Sequence, residues 1–135
     1  MEAKEKGNIF IGHGWQFDRH YWELIAWLQE EPLFSCCVPQ HVMNPSAESG
    51  DLKEELIQQI IPAQAVLILT GLYQKHRLWL DYTMTEASKM NKPIIGVSSW
   101  KREAAPETLL NATAIPLVAW DRASIVQAVK GVIFE

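Results

Sequence analysis

The run Ala65-Val66-Leu67-Ile68-Leu69, leading into Thr70, contains no polar residue and therefore no face it can turn to water. A half-buried strand alternates apolar and polar residues, whereas a strand covered by helices on both faces reads as a continuous apolar run. Residues 65–70 are thus predicted to form the central strand of a parallel sheet, and the flanking segments must supply helices for both faces. Pro93-Ile94-Ile95-Gly96-Val97 repeats the pattern, its proline confined to the leading end. Asn8-Ile9-Phe10-Ile11 reads as a first strand running into Gly12-His13-Gly14, and Leu33 to Val38, closed by Pro39, as a second. Ala114 to Val118 reads as a fifth, which Pro116 restricts to an edge.

Between these runs the apolar spacing becomes helical. Asp18 is positioned to cap a helix reaching about Glu31. Tyr21, Leu24, Ile25 and Leu28 make its apolar face, Trp22 and Trp27 broaden it, and Pro32 stops it. A polar loop from Gln40 to Gly50 precedes a helix over about residues 52–61, with Leu52, Leu56 and Ile60 on one side and Ile57 and Ile61 beside them. Gly71-Leu72-Tyr73 reads as an exit loop before a helix from about His76 to Met90, which Asn91 ends. A longer loop from Ser98 to Asn111 holds a short helix after Pro106, and Asp121 begins a last helix that turns Ile125, Val129 and Val132 inward. Strands alternating with helices over short connections predict a three-layer α/β domain, with a doubly wound, parallel, five-stranded sheet in the order 2-1-3-4-5. The competing architecture is an α+β domain with an antiparallel edge. A chain of 135 residues suits one domain, with residues 1–7 as a flexible N-terminal extension.

Composition narrows the partners. The formal charge is -4 and the basic residues are scattered, with Lys101-Arg102 the sole pair, which argues against a nucleic-acid surface. The leading MEAKEKG lacks the apolar run of a signal peptide, and no stretch is long enough for a membrane span. A soluble, cytoplasmic protein without a membrane partner is the expectation. Cys36 and Cys37 are adjacent, poorly placed for a mutual disulfide, and read as reduced thiols. No metal-ligand spacing is evident; His13 and His41 are the pair that a metal site would need the fold to bring together.

In an open parallel sheet the ligand crevice lies beyond the carboxyl ends of the strands, at the point where the strand order reverses. That directs attention to Gly12-His13-Gly14-Trp15-Gln16-Phe17-Asp18, to Thr70-Gly71-Leu72-Tyr73 and to Ser98-Ser99-Trp100. Gly12 and Gly14 permit a tight turn and close approach of a ligand, Trp15 offers a stacking plane, and His13 and Asp18 offer hydrogen bonds. Each has a structural alternative: Asp18 as a helix cap, His13 bonding within its own loop, and Trp15 as core or interface. The Gly-His-Gly turn is neither a dinucleotide fingerprint nor a phosphate loop. In the following helix, Trp79, Thr83 and Glu86 share a stripe beside one formed by Leu80, Met84 and Ala87, which should meet the sheet.

These pieces together resemble the TIR-like family of small bacterial and archaeal proteins, which includes the TIR-like component of Thoeris antiphage defence. The resemblance runs from Asn8 to Lys130. It rests on Asn8 to Trp15, Ile61 to Gly71, Trp79, Asn91-Lys92-Pro93-Ile94-Ile95-Gly96-Val97, and Val118-Ala119-Trp120-Asp121. It implies a flavodoxin-like fold and an NAD-processing glycohydrolase or cyclase that makes an ADP-ribose-type signal, with NAD as substrate and no further cofactor. The alternative it implies is a catalytically silent module that binds a nucleotide or other proteins. His13, Gly14, Trp15, Asp18, Gly71, Trp79 and Thr83 are then the nucleotide contacts. Homo-oligomerisation fits six tryptophans in the chain.

The sequence departs from the catalytic members at one decisive place. Their helix tryptophan is followed four residues later by a glutamate, which precedes the Lys-Pro of the fourth strand by nine, and both counts fall here on Thr83. Glu86 is the remaining acidic candidate, displaced by about 4.5 Å along the helix axis. A loop serine common in the family is also replaced, by Gly12 or Gly14.

Overall fold

The computed structural model describes residues 7–13, 19–32, 34–36, 49–73, 76–98, 107–113 and 115–134. The elements follow in the order β1 (Gly7–Ile11), α1 (Arg19–Gln29), β2 (Phe34–Cys36), α2 (Ser49–Ile60), β3 (Ala65–Leu69), α3 (Thr70–Tyr73), α4 (Arg77–Lys89), β4 (Ile94–Val97), α5 (Glu107–Ala112) and α6 (Arg122–Phe134). The strands form one sheet in the order β2-β1-β3-β4, with every pair parallel. The strand order therefore reverses between β1 and β3, and their carboxyl ends flank the switch point.

Two glycines show that helices cover both faces. A Cβ on Gly7 would lie 2.9 Å from Ile133 Cγ2 of α6, whereas one on Gly12, just past β1, would lie 2.7 Å from Ile68 Cδ1 and 2.9 Å from Leu80 Cδ2 of α4. Residues five apart on an extended chain point to opposite sides, so α6 and α4 lie on opposite faces. All five residues of β3 are buried accordingly. The core joins them to Tyr21, Leu24, Ile25 and Leu28 of α1, Leu56 and Ile60 of α2, Leu80, Met84 and Ala87 of α4, and Ile125, Val126 and Val129 of α6.

Several boundaries differ from the sequence expectation. Trp22 does not broaden the buried face of α1: it is exposed, one residue round from Tyr21, and its ring meets Tyr21 edge-on. Ile61 lies beyond the end of α2 and is exposed as well. Gly7, expected in a leading extension, begins β1. Gly71-Leu72-Tyr73 belongs to the single helical turn α3, which Tyr73 secures by donating its buried phenol to the Asp81 carboxylate on α4. At the end of α4, Asn91 adopts φ 58°. There Lys92 N–H donates to Ala87 O at 2.9 Å and Asn91 N–H to Ser88 O at 3.1 Å, the paired bonds of a left-handed helix terminus.

The expected fifth strand is not a strand among the described residues. Val118 alone bridges Val97 in parallel, through Val118 N–H to Gly96 O at 2.9 Å and Ser98 N–H to Val118 O at 2.6 Å. Pro116 lacks the N–H that would extend the ladder. Leu117 instead leans into the space that Gly96 leaves empty, its Cδ2 only 2.6 Å from where a Cβ would stand. Gly96→Ala is therefore expected to lower stability by about 1–2 kcal/mol through overpacking. Gly131→Ala, in the exposed last turn of α6 with nothing within 4 Å of the new methyl, should raise it by up to about 0.5 kcal/mol. Paired urea melts of the two variants check both signs.

Candidate functional site

His13 follows β1 directly and is completely buried. Its Nε2 lies 3.3 Å from Gln59 Oε1 on α2, and its ring stands edge-on to Phe10 and Tyr21, with centroids 5.4 and 6.0 Å away. Burial removes water from the charged form and pushes the imidazole down to about 4, the bond to Gln59 opposes the shift, and the nearby His76 adds to it. At neutral pH the ring is uncharged. His13 is thus a hydrogen-bonded group of the interior just past the carboxyl end of β1, joining it to α1 and α2.

Gly14, Trp15 and Asp18, the other candidates after β1, lie outside the described residues, as do His41 and Cys37. Gly71 is half-buried within α3 at the carboxyl end of β3. Thr70, which starts that turn, is buried, and its Oγ1 has no hydrogen-bond partner among the described residues.

On α4 the structure separates the three residues of the expected stripe. Trp79 is half-buried in the first turn, its ring edge-on to Tyr82 at 6.3 Å. Thr83 is completely buried, and its Oγ1 donates to the Trp79 carbonyl at 2.8 Å. That bond spends the only proton the hydroxyl has, on a backbone acceptor one turn back. Glu86 is paired with Lys89 at 3.2 Å, and its side chain is only 15% exposed. Asp81 is likewise engaged, accepting from Tyr73 and lying 3.7 Å from Arg77.

A groove of 260 Å³ opens beside Trp79, lined by Lys53 of α2 and by Leu78, Trp79 and Tyr82 of α4. Sequence reasoning selected Trp79 but missed the other three. The signal lay in topology: α2 and α4 pack side by side, which brings Lys53 over the Tyr82 ring. Gln59 carried no such signal, since an amide in an amphipathic helix reads as surface. A second, larger groove runs along α6 beside Glu31, just past α1, and includes none of the candidates; its Arg122 and Lys130 are paired with Glu30 and Glu31. Among the described residues no three His, Cys, Asp or Glu side chains converge as metal ligands, and no helix is long and apolar enough to cross a membrane.

Residues 10–104 match the family described as Thoeris protein ThsB, TIR-like domain. The chain belongs to this family. No curated protein matches it. The match spans the TIR-like core from β1 through β4 and takes in the crevice, Trp79, Thr83 and Glu86; α5 and α6 lie beyond it. Membership in a TIR-like family is consistent with a role in NAD-related signalling, and the parallel sheet is consistent with a flavodoxin-like core.

Proposed function

We propose that this TIR-like domain recognises NAD or an ADP-ribose-type nucleotide without cleaving it, and acts as a binding and assembly module. The observation that carries this reading is Thr83. Breaking the nicotinamide–ribose bond builds positive charge on the ribose, which a nearby carboxylate stabilises. The family counts put Thr83 at that place, and its hydroxyl is neutral, buried and committed to the Trp79 carbonyl. The nucleotide contacts in this reading are Gly14, Trp15, Asp18, Gly71 and Trp79; His13, completely buried, serves the fold and not the ligand. Assembly into a homo-oligomer and a part in antiphage defence extend the family link.

A second reading makes the chain a glycohydrolase or cyclase with Glu86 as its acid. What favours it is that Glu86 is largely covered and shares α4 with Trp79. Against it, Lys89 already neutralises the carboxylate at 3.2 Å. Isothermal titration with NAD and with ADP-ribose tests the preferred reading. Saturable binding of at least one, with the nucleotide recovered intact, is the expected result. The absence of binding for both overturns it.

A further inference from the structure

The groove between α2 and α4 combines two recognition elements. Trp79 and Tyr82 meet edge to face, so their rings form a corner that can enclose a flat group on two sides. Leu78, 81% exposed, extends the apolar surface at its mouth. Among the described residues that line it, Lys53 alone carries a charge, and its Nζ stands 5.3 Å from the centre of the Tyr82 ring. A cation over an exposed aromatic face is weakly held, and its ammonium keeps hydrogen-bond donors to offer. The volume of 260 Å³ falls below that of pockets enclosing drug-sized ligands, so it suits one ring system, with the rest of any larger molecule left outside.

We propose that this groove binds a small planar ring bearing an anionic group, with the ring in the Trp79–Tyr82 corner and the anion on the Lys53 ammonium. Covering the two rings and Leu78 removes apolar surface from water, and the anion gives Lys53 a better partner than an aromatic face. A free aryl acid and the base-phosphate end of a mononucleotide share this chemistry. The proposal needs no acid on α4 and shares only Trp79 with the nucleotide reading above, so the two can fail separately.

The test titrates the full chain with indole-3-carboxylate and with AMP, each beside its neutral counterpart, indole-3-carboxamide or adenosine. The readout is the indole N–H resonance of Trp79, identified by its loss in Trp79→Phe. At least one anion is expected to shift that resonance saturably and about tenfold more tightly than its neutral counterpart. Lys53→Met should weaken that anion about tenfold and Lys53→Arg by no more than about threefold, with salt near 0.5 M mimicking the Met variant. Lys53 is exposed, so these variants keep the fold, which unchanged thermal melts verify. A response to the indole acid alone identifies a free aryl acid as the ligand class, and a response to AMP alone identifies a nucleotide; both support the proposal. It is overturned if neither anion moves the Trp79 signal, if the neutral counterparts bind equally well, or if Lys53→Met changes nothing. Indole acid binding in a chain that ignores NAD and ADP-ribose would sink the nucleotide reading and leave the groove standing, while nucleotide binding without any Trp79 response would overturn the groove and remove Trp79 from the nucleotide contacts.

Discussion

Thr83→Glu, the substitution that restores the acid of the catalytic family members, is expected to destabilise this protein by about 3 kcal/mol or more and to confer no NAD cleavage. The position is completely buried, with Leu80, Met84 and Ala87 buried on the same helix. A glutamate there must either strip its carboxylate of water or force α4 away from the sheet, and both are costly. Thr83→Val retains the shape and loses only a hydroxyl bond to a carbonyl that the helix ladder already uses. It should cost no more than about 1 kcal/mol. Urea unfolding of the two variants measures the contrast. A Thr83→Glu protein as stable as the parent would mean that an open, polar pocket adjoins this position and that the silent reading is misplaced.

The second large effect is a loss of stability in mild acid. His13 titrates near 4 in the folded protein against an ordinary value of 6.5. Between those values the unfolded chain binds the proton and the folded chain does not, so acid favours unfolding. The contribution is fully present above about 6.5, falls as the pH drops through that window, and is gone below about 4. Its size is on the order of 3 kcal/mol, by the free energy of a shift of this extent. Most of the loss precedes the protonation of ordinary carboxylates. Urea melts at stepped pH should show that slope, and His13→Gln should flatten it while lowering the stability at neutral pH. An unchanged slope in the variant would mean that the imidazole is not held neutral by burial.

The core was legible because its signal is local and repeated. Five consecutive apolar residues in β3 allow only a strand covered on both faces, and all five are buried. The helical spacing of Tyr21, Leu24, Ile25 and Leu28 likewise found the inner side of α1. The single Val97–Val118 bridge was harder to foresee, because it depends on Leu117 filling the space over Gly96, a contact between segments that no local pattern encodes. At the site, the departure at Thr83 was visible from counting alone. Its burial and its bond to Trp79 were not, because Thr83 lies on a stripe set beside the Leu80–Met84–Ala87 face expected to meet the sheet, yet is buried with that face. Gln59, Lys53 and Tyr82 stayed hidden for a related reason. Each acquires its role from a neighbour on another element, His13 for the first and the α2–α4 contact for the other two.

The central claim is that a TIR-like domain with Thr83 in place of the acid does not cleave NAD by itself. The direct measurement incubates the purified chain with NAD at neutral pH, at protein concentrations high enough to favour assembly, and follows free nicotinamide beside a Glu86→Gln control. The account predicts no release above background in either protein. Steady nicotinamide release by the parent, abolished in a folded Glu86→Gln variant, would contradict it and make Glu86 the catalytic acid.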